Sequence, residues 1–349
     1  MQAFHSFLPW QSAGASRWLS QRERFAHAWL LYGPPGIGKR QFALAAAASL
    51  LCESPVNSLA CGHCSACQWV NGGNHPDLRR IRPQALAHEE GEAEGDTPDT
   101  DNDAGKSLSK EIRIEQIRTL ATWFTTATHR GGWRVAVIYP AQAMNMVTAN
   151  ALLKVLEEPP EHTVFLLVAD APDRLLPTLV SRCRRLAVPV PGRDDSLRWL
   201  ASNNVQAADA WLAFSGGAPL LAAQRAQQGD APAPEWLGTL ITRLAESPSA
   251  NFADVCDTLE KESPAVWIDY LQRLCVDLML VSVGAGPRYF IQSTSLVCTI
   301  AARADAANLS GLAKWLAQQR AVAQHPLNAR LFVHTALQRF VLACAPGAA

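Results

Sequence analysis

At 349 residues the chain is long enough for two or three compact units with sizeable cores. Its 31 Lys and Arg balance 31 Asp and Glu, which excludes a protein that grips nucleic acid by bulk charge; any such contact must be local or shared with partners. The longest apolar runs, 42–51 and 164–169, fall short of the roughly 20 residues of a membrane span, and the start of the chain carries His5, Pro9, Trp10 and Gln11 where a secretory signal has a basic region and an apolar run, so the cytoplasm is expected.

The first strong local signal is the apolar Trp29-Leu30-Leu31-Tyr32, followed by Gly33-Pro34-Pro35-Gly36-Ile37-Gly38-Lys39-Arg40 and an alanine-rich run to Leu51. This order reads as strand, glycine loop, helix. Such a turn aims backbone N–H groups at an anion, and a lysine adds charge for the outer phosphates, which makes Gly33, Gly36, Gly38 and Lys39 the candidate phosphate-binding residues. The pattern normally closes on a Ser or Thr whose hydroxyl ligates Mg²⁺, yet Arg40 stands there, and a fixed cation disfavours the metal. The residues leave open whether the loop still holds ATP or survives only as a tie between strand and helix.

Four of the nine cysteines follow within sixteen residues: Cys52, Cys61, Cys64 and Cys67, separated by eight, two and two residues. Two overlapping Cys-x-x-Cys turns set thiolates at the separation that tetrahedral Zn²⁺ needs, and four thiolates close its shell, so a structural zinc site is expected in preference to redox chemistry. His63 and His75 are the weaker substitutes. His75-Pro76-Asp77 leads into an expected strand at 78–81. From about 84 to 109 the chain is Glu, Asp, Gly, Thr, Ala and Asn with few large apolar residues, which predicts a mobile acidic loop.

Ile114, Ile117, Leu120, Ala121 and Phe124 then recur at helical spacing. Runs at 134–139 and 164–169 suit strands buried on both faces of a parallel sheet, and between them 148–158 reads as a helix stopped by Pro159-Pro160. The strand at 135–138 ends in Tyr139-Pro140-Ala141-Gln142, without the acid that metal-assisted phosphoryl transfer places at such a strand end. Beyond about residue 190 strand signals fade, and Trp267, Tyr270, Leu271 and Leu274 share helical periodicity. The expected fold class is α/β plus α: a P-loop parallel-sheet domain over 1–190 with a zinc module (52–67) and the acidic insertion, a small helical domain over 191–230, and a helical domain over 231–349.

Asn150-Ala151-Leu152-Leu153-Lys154-Val155-Leu156-Glu157-Glu158-Pro159-Pro160, then Ser181-Arg182-Cys183, following the P-loop and the cysteine cluster in this order, resemble bacterial clamp-loader subunits of the AAA+ class. The resemblance covers most of residues 1–230. It implies an AAA+ domain, a lid at 191–230 and a ring-forming collar at 231–349, where Leu327-Asn328-Ala329-Arg330-Leu331-Phe332 is similar to the family's last helices. The departures favour the family's non-hydrolysing branch over its gamma and tau subunits: the metal hydroxyl and strand-end acids are missing, the sensor position at the end of the 164–169 strand is Ala169, and no second-sensor arginine is evident in the helix opened by Gly216-Gly217-Ala218-Pro219.

What stays intact is Ser-Arg-Cys. By resemblance Arg182 is an arginine finger reaching the ATP of a neighbouring gamma/tau-type subunit, a task suited to a planar, always-charged guanidinium. The implied partners are gamma/tau and delta subunits in a hetero-pentameric ring, with the sliding clamp (beta) and primed DNA met through the complex. The alternatives are a divergent active ATPase built on Lys39 and a zinc-dependent DNA-binding module, which the balanced charge disfavours. Glu157 and Glu158 run against the helix dipole, which hints at outward pairing and not at an acid/base dyad.

Overall fold

A strand that is apolar along nearly its whole length has no side to turn to water and must be covered on both faces. The first unit of the computed structural model, Met1–Asp195, is built around three such strands. In chain order its elements are α1 (Ser12–Leu19), β1 (Ala28–Tyr32), α2 (Lys39–Leu51), α3 (Ser65–Asn71), β2 (Leu78–Ile81), α4 (Gln84–Glu89), α5 (Ile114–Phe124), β3 (Arg134–Ile138), α6 (Met146–Glu157), β4 (Thr163–Ala169), α7 (Pro177–Ser181) and β5 (Arg184–Ala187). The structure describes residues 6–91, 108–124, 128–129, 132–229, 231–247, 251–323 and 328–345.

The five strands pair in parallel in the order β2-β3-β4-β1-β5, which puts the three apolar strands inside and the shorter β2 and β5 at the edges. Every residue of β3 and β4 is buried. Because β1 lies beside β4, Tyr32 is in register with Ala169, and the loops leaving both strands emerge on one rim. Helix α2 lies against β3 and β4. Its alanines, Ala43 and 45–48, are at most 1% exposed, and their small side chains let the helix press close to the sheet. On α5, Ile117 and Leu120 join Leu152 and Leu156 of α6 in a core with β3 and β4, the faces that the helical spacing implied. The result is an AAA+-like α/β layer.

The acidic segment starts later than its composition suggested. Residues 84–89 form α4, because Pro83 leads into Gln84, Ala85, Leu86 and Ala87, whose helix-forming character the acidic run beyond them obscured. The N–H of Ala85 donates to the carbonyl of Ser109 at 3.1 Å. The rest of the expected loop, residues 92–107, lies outside the described residues, as does Leu327.

The second unit, Ser196–Ala349, follows the start of α8 (Arg193–Ser202) and comprises α9 (Ala208–Phe214), α10 (Pro219–Gln227), α11 (Glu235–Glu246), α12 (Ala253–Leu259), α13 (Pro264–Ser282), α14 (Thr294–Ala301), α15 (Ala306–Val322) and α16 (Ala329–Ala343). One core gathers Trp236, Trp267, Leu271, Leu274, Leu316 and Phe340 from four of these helices. Tyr270 stays half-buried and stacks on Phe214 with ring centroids 5.3 Å apart. No described helix is long and apolar enough to cross a membrane.

One charge is sealed inside this helical core. Asp277 on α13 is fully buried, and its carboxylate accepts the backbone N–H groups of Arg288, Tyr289 and Phe290 at 2.8–3.1 Å. These bonds tie the turn after α13 back onto the helix. Asp277→Ala leaves three donors without an acceptor and is expected to lower unfolding stability by about 2–4 kcal/mol. Urea melts of the full chain check this, and a loss under about 0.5 kcal/mol would show that the turn holds itself.

Candidate functional site

The glycine loop connects β1 to α2 on the sheet rim where Tyr32 and Ala169 sit side by side. A Cβ on Gly33 would stand 2.6 Å from the Val188 carbonyl oxygen, so only glycine lets the loop pass β5's exit. Gly38 caps α2 at φ 89°, a left-handed conformation that side chains rarely adopt. Buried Gln11 holds the loop from behind, its Nε2 donating to the carbonyls of Gly38 at 3.0 Å and Ile37 at 3.3 Å. Nothing in the local sequence marked Gln11 for this task, because it acts across 27 residues.

Lys39 opens α2 and is only 4% exposed. Its ammonium donates to the Pro34 carbonyl and lies 2.6 Å from Oδ1 of Asp170. Burial lowers its pKa from the ordinary lysine value, and the Asp170 carboxylate opposes that. Asp170 immediately follows Ala169, the residue placed at the sensor position by sequence, and its Oδ2 accepts from Gln142 Nε2 at 3.3 Å. Arg40 points to a second carboxylate, with Nη1 2.8 Å from Oε1 of Glu90. The other oxygen of Glu90 lies 2.9 Å from Arg82 Nε and accepts the Tyr139 hydroxyl at 2.9 Å. Burial pushes the Tyr139 phenol well above its usual range, so it stays protonated and donates.

The strand end that lacks an acid in sequence therefore meets one in space, delivered by Glu90 from the residue after α4. Both carboxylates near the loop are engaged with cations of the chain itself. Neither Asp170 nor Glu90 was legible as a site residue: each needed the strand order, which sets β4 beside β1 and β3 beside β2.

Arg182 follows α7, at the surface. Its Nη2 is 2.6 Å from Glu157 Oε1 and its Nη1 donates to the Thr178 carbonyl at 3.1 Å, with the side chain 36% exposed. The neighbouring Cys183 is buried in the core with α5 and α6, and burial pushes its thiol up to about 12, so it anchors and does not react. Glu157 turns outward, as the helix dipole suggested, and pairs with Arg182. Asn150 and Lys154 on the same helix, and Glu158 just after it, are exposed. Helix α10 does carry an arginine, Arg225, but the guanidinium sits 4.8 Å over the Phe214 ring.

Cys52 ends α2 and Cys64 caps α3, so two helix ends carry the cysteine cluster. The four sulfurs lie within 4.8 Å of one another, Cys52 to Cys64 at 3.8 Å and Cys61 to Cys67 at 4.0 Å. Thiolates about 2.3 Å from a tetrahedral Zn²⁺ stand about 3.8 Å apart, so the donor set fits that ion. Backbone N–H groups of Cys61, Cys64 and Cys67 point at the sulfurs of Cys52, Cys61 and Cys64 at 3.3–3.4 Å, which favours thiolates. The Ser54 hydroxyl, then the His63 N–H, hold the Cys61 thiol at about 5, while burial pushes Cys52 and Cys67 up. His63 turns its Nδ1 to the Cys61 carbonyl, and His75 is buried against Trp69 with its Nδ1 accepting the Asp77 N–H; neither joins the four sulfurs.

A P-loop on an AAA+-like sheet, a four-cysteine module and a helical second unit define the class. Residues 17–191 match the family described as DNA polymerase III, delta subunit. The DNA polymerase III subunit delta-prime of Pseudomonas aeruginosa is 44% identical over 225 residues, 63% of this chain and 62% of that protein's own length. The delta-prime subunit of Escherichia coli K12 is 31% identical over 287 residues, covering 80% of this chain and 78% of the relative. A solved gamma-subunit-related protein of Thermotoga maritima is 17% identical, with 96% of this chain and 99% of that one covered and a TM-score of 0.43. The chain belongs to the DNA polymerase III delta-prime family of AAA+ clamp-loader proteins.

The cysteine geometry generates a test of its own. Chain purified from zinc-containing medium is expected to carry about one zinc, Cys64→Ser to carry almost none, and a strong chelator to cost the fold about 3 kcal/mol or more. Elemental analysis with thermal melts reads both; zinc-free protein whose melting ignores the chelator would rule the site out.

Proposed function

We propose that this chain is a non-hydrolysing subunit of a clamp-loader complex and that Arg182 completes the ATP site of a gamma/tau-type neighbour while the clamp is loaded onto primed DNA. In this reading the complex also contains a delta subunit in a five-membered ring, and it works in the cytoplasm as part of the DNA polymerase III holoenzyme, a DNA-directed DNA polymerase. Residues 191–230 would act as the lid and 231–349 as the collar that meets the neighbours. The cysteine cluster would hold a structural zinc, Cys52, Cys61, Cys64 and Cys67 closing its shell and leaving no position for substrate.

The observation that carries the proposal is the setting of Arg182. Its guanidinium is at the surface, and its side-chain partner among the described residues is the exposed Glu157. Exposed ion pairs contribute about 0–1 kcal/mol, so a phosphate of higher charge can replace Glu157 at little cost. The P-loop supports the same reading: Asp170 and Glu90 are engaged with Lys39 and Arg40, so neither carboxylate is free to hold Mg²⁺.

The test is DNA- and clamp-stimulated ATP turnover by the reconstituted loader. Arg182→Ala is expected to cut turnover about tenfold or more at matched assembly, an arginine finger being worth on the order of 10³–10⁵ at its own site. Arg182→Lys should rescue little of it, since an ammonium lacks the planar fork. Unchanged turnover by Arg182→Ala in an intact complex would sink the finger assignment. Turnover by the isolated chain that Lys39→Ala abolishes and Arg182→Ala leaves alone would establish the active-ATPase reading in its place.

A further inference from the structure

An ammonium as deeply placed as that of Lys39 must be paired, because an isolated charge in such a site costs several kcal/mol. In a working P-loop the phosphates of the nucleotide do this. Here the pairing comes from the chain. Asp170 reaches Lys39 from the end of β4 at 2.6 Å and is braced on Gln142, whose Nε2 donates to Oδ2 and whose Oε1 accepts the Asp170 N–H, both at 3.3 Å. On the next residue, Arg40 is matched by Glu90, itself fixed by Arg82 and Tyr139. Each of the two cations that follow Gly38 thus has its own carboxylate.

The loop's backbone meanwhile keeps the form that an anion requires. Gly36 and Gly38 hold positive φ of 74° and 89°, and Gln11 locks the carbonyls of Ile37 and Gly38 from the far side. Asp170 is 41% exposed at its side chain and Glu90 17%, so the first of the two plugs borders solvent.

We propose that the P-loop is a latent polyphosphate site masked by the chain's own side chains, with Asp170 standing on Lys39 where an outer phosphate would sit and Glu90 standing on Arg40. Removing the Asp170 charge opens the loop to the phosphate chain of a nucleoside triphosphate. Arg40 then supplies the positive charge that Mg²⁺ supplies elsewhere, so the unmasked loop binds without a divalent metal. The mask deepens the non-hydrolysing reading and rests on it: a loop closed by its own carboxylates explains why a chain with an intact glycine pattern would leave ATP to its neighbours.

The experiment measures binding by the full-length chain in EDTA at low salt, using inorganic tripolyphosphate and ATP as probes in a calorimetric titration. Asp170→Asn, which keeps the size and the Gln142 contacts, is expected to bind both probes about tenfold or more tighter than the unchanged chain. Lys39→Ala added to it should abolish the gain. Glu90→Gln, on the other cation, is expected to tighten tripolyphosphate binding about threefold. Affinity in both single variants equal to that of the unchanged chain overturns the proposal, as does a gain that survives Lys39→Ala. Melting of the unchanged chain against rising tripolyphosphate decides the matter even if a variant folds poorly: no saturable shift fits the mask, and a saturable rise that Lys39→Ala removes overturns it. Binding in the isolated chain is independent of Arg182, so failure here leaves the turnover test of the finger standing.

Discussion

A buried ammonium must have a counter-ion, and much of the first unit is arranged around that requirement. Lys39 begins the helix that lies on the middle of the sheet, and its side chain is held inside the loop with only 4% of it exposed. The anion has to come to it. Parallel strand order brings Asp170 to the right rim, and Gln142 on the loop after β3 steadies it. In a P-loop that turns over ATP the same vacancy recruits substrate, and the two solutions differ in whether the countercharge belongs to the chain or to the ligand.

This view gives the individual motif residues different physical weights. Gly33 answers to a carbonyl oxygen that would touch any Cβ. Cys183 answers to packing, since its thiol sits in the core while the residue before it faces out. Arg182 answers to neither, because its surface position and exposed partner contribute little to holding the fold together. Its release from Glu157 therefore costs the chain little.

The sequence was most legible where a pattern is local. The strand-loop-helix of the P-loop, the apolar runs of β3 and β4, the helical spacing of α5 and the Cys-x-x-Cys turns each lie within a few residues, and each is present in the structure. Contacts across the sheet were not legible. Glu90 looked like the first part of an acidic loop, yet three groups from two strand ends and a helix start converge on it. Asp170 was not legible because its partner is 131 residues away in sequence (170 minus 39). Gln11 holds the loop through carbonyls 26 and 27 residues away, which no spacing rule encodes.

The outer strands of the sheet bear on a different matter. β2 reads Leu-Arg-Arg-Ile and β5 reads Arg-Arg-Leu-Ala, so each edge strand carries adjacent arginines where the inner strands are apolar apart from Arg134 and Thr163 at their starts. An unpaired strand invites any other chain to add to it, and a row of like charges makes two such edges repel. Arg184 also folds over the Trp29 ring at 5.5 Å, shielding one side of its edge. The charges on these outer strands thereby oppose two copies of the chain joining edge to edge into one continuous sheet.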